Sequence, residues 1–216
     1  MRTIVSFVVA AGLLAEPALA ASSVKAEHGN IVLHDGKAVR RLTTSGHDSA
    51  PVLSPDGKRV VFVRNLGGAP LKDCSADASV ATPMELWSVG ADGAGAKKLL
   101  GLANAKDVHQ TVCAFTSPQF SSNGQLLYFS TPAWATSGAV HVYDFKSGRE
   151  HFVTDGDSLS VLSSCMDETY RDALIVMKHK YFAMGGSYDW YWLVSPAGKE
   201  LGPLGESAGM AKDQCS

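Results

Sequence analysis

Short apolar runs rich in β-branched and aromatic residues, each closed by a turn, recur along most of this chain. Such runs read as strands, whose successive side chains point to opposite faces. The run at 30–35, "NIVLHD", ends in Asp35-Gly36, and "AVRRLTT" at 38–44 returns from it. Asp-Gly suits a two-residue hairpin turn because both turn positions need positive φ. "SAPVL" at 49–53 leads into Ser54-Pro55-Asp56-Gly57, and "RVVFVRN" at 59–65 follows. Proline presets the second turn position, glycine absorbs the left-handed one, and the β-branched run suits a pleated sheet. "MELWSVGADG" at 84–93 and "AKKLLGL" at 96–102 complete a group of about four strands. No window shows apolar residues at three-and-four spacing behind a cap, so helices are not expected.

The cycle then restarts. "AFTSPQF" (114–120), a turn at Ser121-Ser122-Asn123-Gly124, "QLLYFST" (125–131), "GAVHVYDF" (138–145) and "REHFVTD" (149–155) make a second group. A weaker third reads "SLSVLSS" (158–164), "DALIVMKHKYFAM" (172–184), "SYDWYWLVS" (187–195) and "KELGPL" (199–204), with a hairpin at Gly185-Gly186. Two irregular stretches, 66–83 and 103–112, interrupt the first group. Four-strand units recurring every forty to fifty residues or so are the pattern of β-propeller blades. The expectation is an all-β, propeller-like array of about three four-stranded blades plus an N-terminal hairpin. A blade cannot bury both faces alone, so stacking on its neighbours stabilises it.

The stretch from Arg40 to Asn65 resembles the repeat of TolB-like propellers, also called PD40 or WD-like repeats. Leu42, Thr43, Asp48, Pro51, Ser54, Pro55, Asp56, Gly57 and Phe62 fall on that repeat's positions. Leu53 stands where the repeat usually has tryptophan. A second copy keeps Pro118, Phe120, Ser121, Gly124 and Phe129, with Ser122 and Asn123 in place of Pro-Asp. Asparagine serves the same turn. The resemblance implies a periplasmic interaction propeller. The chain is shorter than a six-bladed ring of about forty residues per blade and lacks the N-terminal α/β domain of TolB. A minimal ring, an open arc, or a homodimer completing the propeller would each fit. An open arc is expected to expose apolar blade faces and edges, a hazard for aggregation.

The first twenty residues read differently. Arg2 precedes the apolar run Ile4 to Ala15, and Ala18-Leu19-Ala20 gives the small-x-small cleavage pattern. Residues 1–20 are therefore expected to be a cleaved signal peptide and 21–216 a single exported domain, periplasmic or secreted, with no transmembrane segment. Export makes disulfides the default for Cys74, Cys113, Cys165 and Cys215, and pairing of chain neighbours is favoured among three arrangements. The formal net charge is −2 and the pI about 6.4, which supplies no basic field for nucleic acid.

Candidate chemistry is sparse. No G-x-S-x-G elbow occurs, and "GGSYD" at Gly185 matches it only superficially. None of the seven histidines forms a zinc motif. His141 and His151 lie across the Ser147 turn, but consecutive strands place exposed histidines there as a matter of course. The Asp-Gly turns at Asp35, Asp56 and Asp92 lack a calcium ladder and are explained by hairpin geometry. No cofactor or metal is expected. The aromatic run puts Tyr188, Trp190 and Trp192 on one strand face, where packing between blades competes with a binding surface. Trp134, in "TPAWATSG", is read as a loop residue open to a partner. The function favoured is an exported, non-catalytic module presenting loops to an envelope protein. The alternative is a carbohydrate-binding or carbohydrate-active protein using the propeller mouth and these aromatics.

Overall fold

A computed structural model describes residues 22–71, 74, 82–209, 213 and 215. The proposed leader, residues 1–20, lies outside them. The described chain forms fifteen strands in four antiparallel sheets. The first sheet holds β1 (Ser23–Glu27), β2 (Asn30–Asp35) and β3 (Ala38–Arg41). The second holds β4 (Asp48–Leu53), β5 (Arg59–Asn65), β6 (Met84–Gly90) and β7 (Lys97–Gly101). The third holds β8 (Thr116–Phe120), β9 (Leu126–Trp134), β10 (Ser137–Asp144) and β11 (Arg149–Asp155). The fourth holds β12 (Asp157–Val161), β13 (Leu174–Tyr181), β14 (Ser187–Val194) and β15 (Glu200–Gly205). Each is a meander in chain order.

The expected N-terminal hairpin is therefore a three-stranded sheet. The extra strand, "SVKAE", pairs with β2 through a His28-Gly29 turn in which both residues have positive φ. Its only apolar residues are Val24 and Ala26, both on one face, so its hydrophobic signal is slight.

The sheets stack through their first strands: β1 beside β4, β4 beside β8, β8 beside β12. Three apolar layers result. Ile31, Leu33, Val60, Phe62 and Val89 fill the first; Val61, Val63, Leu86, Leu127 and Phe129 fill the second. Tyr128, Val140, Val142, Leu174, Val176 and Val194 fill the third. Strand β5 shows why its sequence reads as an unbroken apolar run. Val60 and Phe62 face the first layer while Val61 and Val63 face the second, so both faces are buried. Each large side chain buried this way contributes about 1.5–3 kcal/mol.

The turn motif repeats atom for atom. The Ser54 hydroxyl donates to Asp56 Oδ1 at 2.6 Å and accepts from Arg59 N at 2.9 Å, and Gly57 N donates to Ser54 O at 2.8 Å. In the second copy Ser121 donates to Asn123 Oδ1 at 2.8 Å and accepts from Leu126 N at 3.0 Å, and Gly124 N donates to Ser121 O at 2.9 Å. Asparagine replaces aspartate because only its Oδ1 acceptor is used.

A second repeat is invisible in the letters. The first strands of sheets two, three and four each carry one non-glycine residue at positive φ, namely Ala50, Ser117 and Ser158. Each sits at a register shift, a bulge that bends the strand. The weak third copy thus keeps the backbone device while losing the proline.

Both disulfides join chain neighbours: Cys74 with Cys113, and Cys165 with Cys215. The first pins the inserted stretch before β6 to the segment before β8. The second fastens the C-terminal segment across the outer face of the fourth sheet, where Ala208 and Cys215 join Leu162, Ala173, Ile175, Tyr191 and Leu193. At the other end, the outer face of the first sheet carries Lys25, Glu27, His34 and Arg41 around Val32, with Val39 as its one exposed large apolar side chain. The bare apolar end faces expected of an open arc are therefore not found among the described residues.

Candidate functional site

Sheets three and four are joined by one residue, Gly156, at φ +134°. A Cβ there would run into Val176 Cγ1 and lie 2.7 Å from Met177 O. The link is this short because the two sheets approach closely, and only glycine fits it. It leaves Asp155 and Asp157 on either side of the junction, each at the wall of a cleft.

The first cleft, about 460 Å³, is lined by His109, Trp134, Thr136, Ser137, Phe152 and Asp155. Trp134 closes β9, Ser137 opens β10, and Phe152 and Asp155 stand on β11. His109 arrives on a short 3-10 turn, Val108–Gln110, whose Asp107 side chain caps His109 N at 3.0 Å. The rings form an open box. His109 and Phe152 centroids are 4.4 Å apart, His109 and Trp134 5.8 Å, and Trp134 and Phe152 6.3 Å edge to face. The second cleft, about 400 Å³, shares Trp134, Thr136 and Ser137 and adds Thr116, Ser130, Thr131 and Asp157.

Behind the box runs a ladder of charges. Lys178 is 1 % exposed. Its ammonium donates to Thr154 Oγ1 at 2.7 Å and pairs with Asp155 at 2.7 Å and Glu200 at 2.9 Å. Lys180 pairs with the same Glu200 oxygen at 2.9 Å. Burial pushes the Asp155 carboxyl up, but the hydrogen bond and charge of Lys178 outweigh it and hold the group below the ordinary range. Glu200 is lowered in the same way, burial being overcome by its bonds to Lys180 and Lys178. Asp157 goes the other way: burial raises it, partly offset by the Gly138 N–H at 3.0 Å and reinforced by the charge of Asp189.

Among the described residues, four buried polar atoms have no partner within the chain: Tyr128 Oη, Ser130 Oγ, His141 Nε2 and Trp192 Nε1. All four belong to the two sheets that build these clefts. Orphaned groups of this kind are rare in native interiors and call for a partner.

The aromatic residues expected at a surface are divided. Trp134 is not in a loop; it ends a nine-residue strand and is half-buried, because β9 and β10 continue to a tight turn at Ala135-Thr136. Trp192 packs in the layer between sheets three and four, with Lys180 Nζ 5.1 Å from its ring. Tyr188 and Trp190 lie further along the same strand face, their centroids 4.8 Å apart. They lead to the β13–β14 hairpin tip, where the Phe182 ring lies tilted against Tyr188, centroids 4.7 Å apart. Met184 is 98 % exposed there, Tyr181 71 % and Phe182 54 %. His141 and His151 do not meet. His151 sits opposite Val142, whereas His141 is fully buried with Nδ1 against Glu150 Oε1. No group of three or more His, Cys, Asp or Glu among the described residues is placed to hold a metal ion.

Sequence reasoning missed Phe152, His109 and Asp155 as residues sharing a cleft with Trp134, and Lys178 as the partner of Asp155. The available signal was the paired acids of "TDGDS", which flank the glycine at the sheet junction. A groove of about 300 Å³ along the first strands is lined largely by apolar and proline residues, Val24, Pro51, Val52, Leu53, Pro118 and Phe120 among them. Its polar lining is Gln119, whose side-chain amide is held by Leu159 O and Val161 N, and Ser163.

Two solved structures place the architecture. The β-propeller domain of the Trilobed protease from Pyrococcus furiosus, described as having an open velcro topology, aligns with a TM-score of 0.50 at 16 % identity, over 80 % of this chain and 47 % of its own. Porphyromonas gingivalis dipeptidyl peptidase 4 aligns with a TM-score of 0.51 at 13 % identity, over 86 % of this chain and 31 % of its own. The fold is that of a β-propeller, present here as a partial array of blades. This chain spans less than half the length of either protein. TolB from Acinetobacter baumannii aligns at a TM-score of only 0.31 and 12 % identity, over 83 % of this chain and 61 % of its own, which carries no argument for the TolB-like family. No protein-family model matches the propeller chain, and no curated protein does.

Proposed function

We propose that residues 21–216 form a single exported, non-catalytic propeller module that binds an envelope protein through the β13–β14 hairpin, after removal of residues 1–20. The observation that carries it is the run of Tyr181, Phe182 and Met184, three large apolar side chains left in solvent at one hairpin tip. Aromatic residues and methionine are enriched at protein interfaces, and concentrated exposed apolar surface marks interaction sites. Tyr188 and Trp190 extend the patch along the strand, so a partner offering an apolar groove would meet a ridge of rings. Two disulfides suit an oxidising compartment, and no helix among the described residues is long and apolar enough to cross a membrane.

The test places a photocrosslinking amino acid at position 184 in the full chain, produced in its own host with its leader. A discrete adduct is expected, and it should fade when Tyr181 and Phe182 are both changed to serine. An adduct of twice the chain mass would name a second copy as the partner. No adduct, or the same adduct from a crosslinker at position 39 on the first sheet, would refute the proposal.

A further inference from the structure

The two clefts beside Trp134 are independent of the hairpin tip. From their lining we propose that they form one binding site for a short neutral saccharide, with Trp134 and Phe152 as the stacking surface and Asp155, Ser137 and Thr136 as hydroxyl partners. The volumes, about 460 and 400 Å³, each fall in the range of small-molecule sites. They share the Trp134-to-Ser137 turn, so two adjoining rings of one ligand could straddle it.

Charge decides the class of ligand. Asp155 is already neutralised by Lys178, and the ladder Asp155, Lys178, Glu200, Lys180 holds two acids and two bases. His109 is likewise beside Asp107, at 3.3 Å. An ionic ligand finds no uncompensated counter-charge in the aromatic box; in the second cleft Asp157, held by the Gly138 N–H at 3.0 Å, is the one carboxyl among the described residues without a paired cation, and the choline titration tests it. A polyhydroxylated neutral ligand does find what it needs. The Trp134 indole and Phe152 ring offer apolar faces to C–H groups, while the carboxylate and hydroxyls accept and donate hydrogen bonds. Lys178 holds the Asp155 Oδ1, which fixes the carboxylate and leaves its other oxygen for a ligand hydroxyl. On the far side of the turn, the buried Ser130 hydroxyl has no partner within the chain and lines the second cleft. It is a polar group waiting for one.

The test follows binding by nuclear magnetic resonance, through the backbone amides of Thr136 and Ser137 in every variant and through the Trp134 indole N–H in the wild-type chain. The full mature chain is titrated with neutral oligosaccharides of glucose, mannose and N-acetylglucosamine, with oligogalacturonate as the acidic probe and choline as the cationic one. A neutral oligosaccharide should shift the Trp134 resonance at millimolar concentration, and choline and oligogalacturonate should not. Trp134→Ala should weaken binding at least about tenfold, as should Phe152→Leu, which keeps the apolar bulk and removes the ring. Val39→Ser, on the outer face of the first sheet, should leave binding unchanged. Circular dichroism and urea midpoints confirm that each variant is folded. The proposal is overturned if no neutral oligosaccharide binds the folded chain, if binding survives Trp134→Ala, or if choline or oligogalacturonate binds there more tightly.

Discussion

Lys178 is the sharpest point at which to test the energetics of the sheet junction. It is a buried cation satisfied by two carboxylates and one hydroxyl, at 2.7, 2.9 and 2.7 Å. The carboxylates are not buried equally: the Asp155 side chain is 42 % exposed and that of Glu200 36 %. Losing one carboxylate leaves the ammonium still paired, so Asp155→Asn or Glu200→Gln alone should cost no more than about 1 kcal/mol, as for a largely solvated pair. Losing both leaves the ammonium with only Thr154, and an uncompensated buried charge costs about 3–5 kcal/mol. Lys178→Met removes the cation instead. The carboxylates can then hydrate, and a thioether fills the apolar stem, so its cost should stay within about 1 kcal/mol. The assay is urea unfolding at neutral pH, read as midpoints at constant m. The expected order places the double carboxylate variant far below either single one, a coupling well beyond additivity. If Lys178→Met destabilises as much as the double variant, or if the double variant is merely additive, the buried charge is not what the carboxylates serve.

Other expectations follow from the same geometry. Gly156→Ala should destabilise by more than about 3 kcal/mol, because strain at φ +134° adds to collision with Val176 and Met177; a calorimetric midpoint near wild type would refute this. Asp48 is buried and paired with Arg64 at 2.7 and 3.1 Å. Burial raises its carboxyl, yet the bonds from Arg64, Thr43 and Ser45 hold it below 3.8. Asp48, Asp155 and Glu200 are all depressed, so their stabilisation is full above their ordinary values and is lost as pH falls through the lowered ones. Urea midpoints should therefore fall steadily below about pH 4.5, the ordinary value of Glu200, and a flat profile down to pH 3 would refute that assignment. Asp157 is raised and has the opposite sign, so Asp157→Asn should hold or slightly increase stability at pH 7. Replacing Cys165 and Cys215 with serine opens a 50-residue loop, worth about 4 kcal/mol by chain entropy. It should also produce concentration-dependent association in light scattering as the outer face of the fourth sheet is uncovered.

The fold was legible where local chemistry dictates backbone. Ser54-Pro55-Asp56-Gly57 and Ser121-Ser122-Asn123-Gly124 declare their turns because serine, aspartate or asparagine, and glycine each have one job in them. Strand β5 was legible because both its faces are buried. Strand β1 was not, since a mostly exposed strand carries little hydrophobic signal. The bulges at Ala50, Ser117 and Ser158 were hidden for another reason: alanine and serine are not residue types that announce positive φ. Of the site, Trp134 was visible as an aromatic residue near a turn, but its partners come from the 3-10 turn and β11, and Asp155 is in turn held by Lys178 of β13, all apart in sequence. Long-range register brings them together, and no local motif records it.

The two ends of the stack solve one physical problem by different means. Each interior sheet buries apolar residues on both faces, as Val60 and Val61 do on adjacent positions of β5. A terminal sheet has a neighbour on one side only, so its other face must be polar or covered. The first sheet takes the polar route, setting Lys25 and Arg41 on either side of Val32 and pairing Glu27 with His34 at 2.9 Å. Charges on an outer face of this kind also discourage association with another sheet. The fourth sheet keeps an apolar face, with Ile175, Tyr191 and Leu193, and covers it with the segment fastened by Cys165–Cys215. A face covered by a short segment is only as secure as its fastening, because so few residues bury little area. The disulfide therefore belongs to the packing of the last blade as much as Val60 belongs to that of the second. A largely polar face on one outer sheet and a fastened segment on the other reduce the apolar area that closure of the array, or a second copy, would otherwise bury.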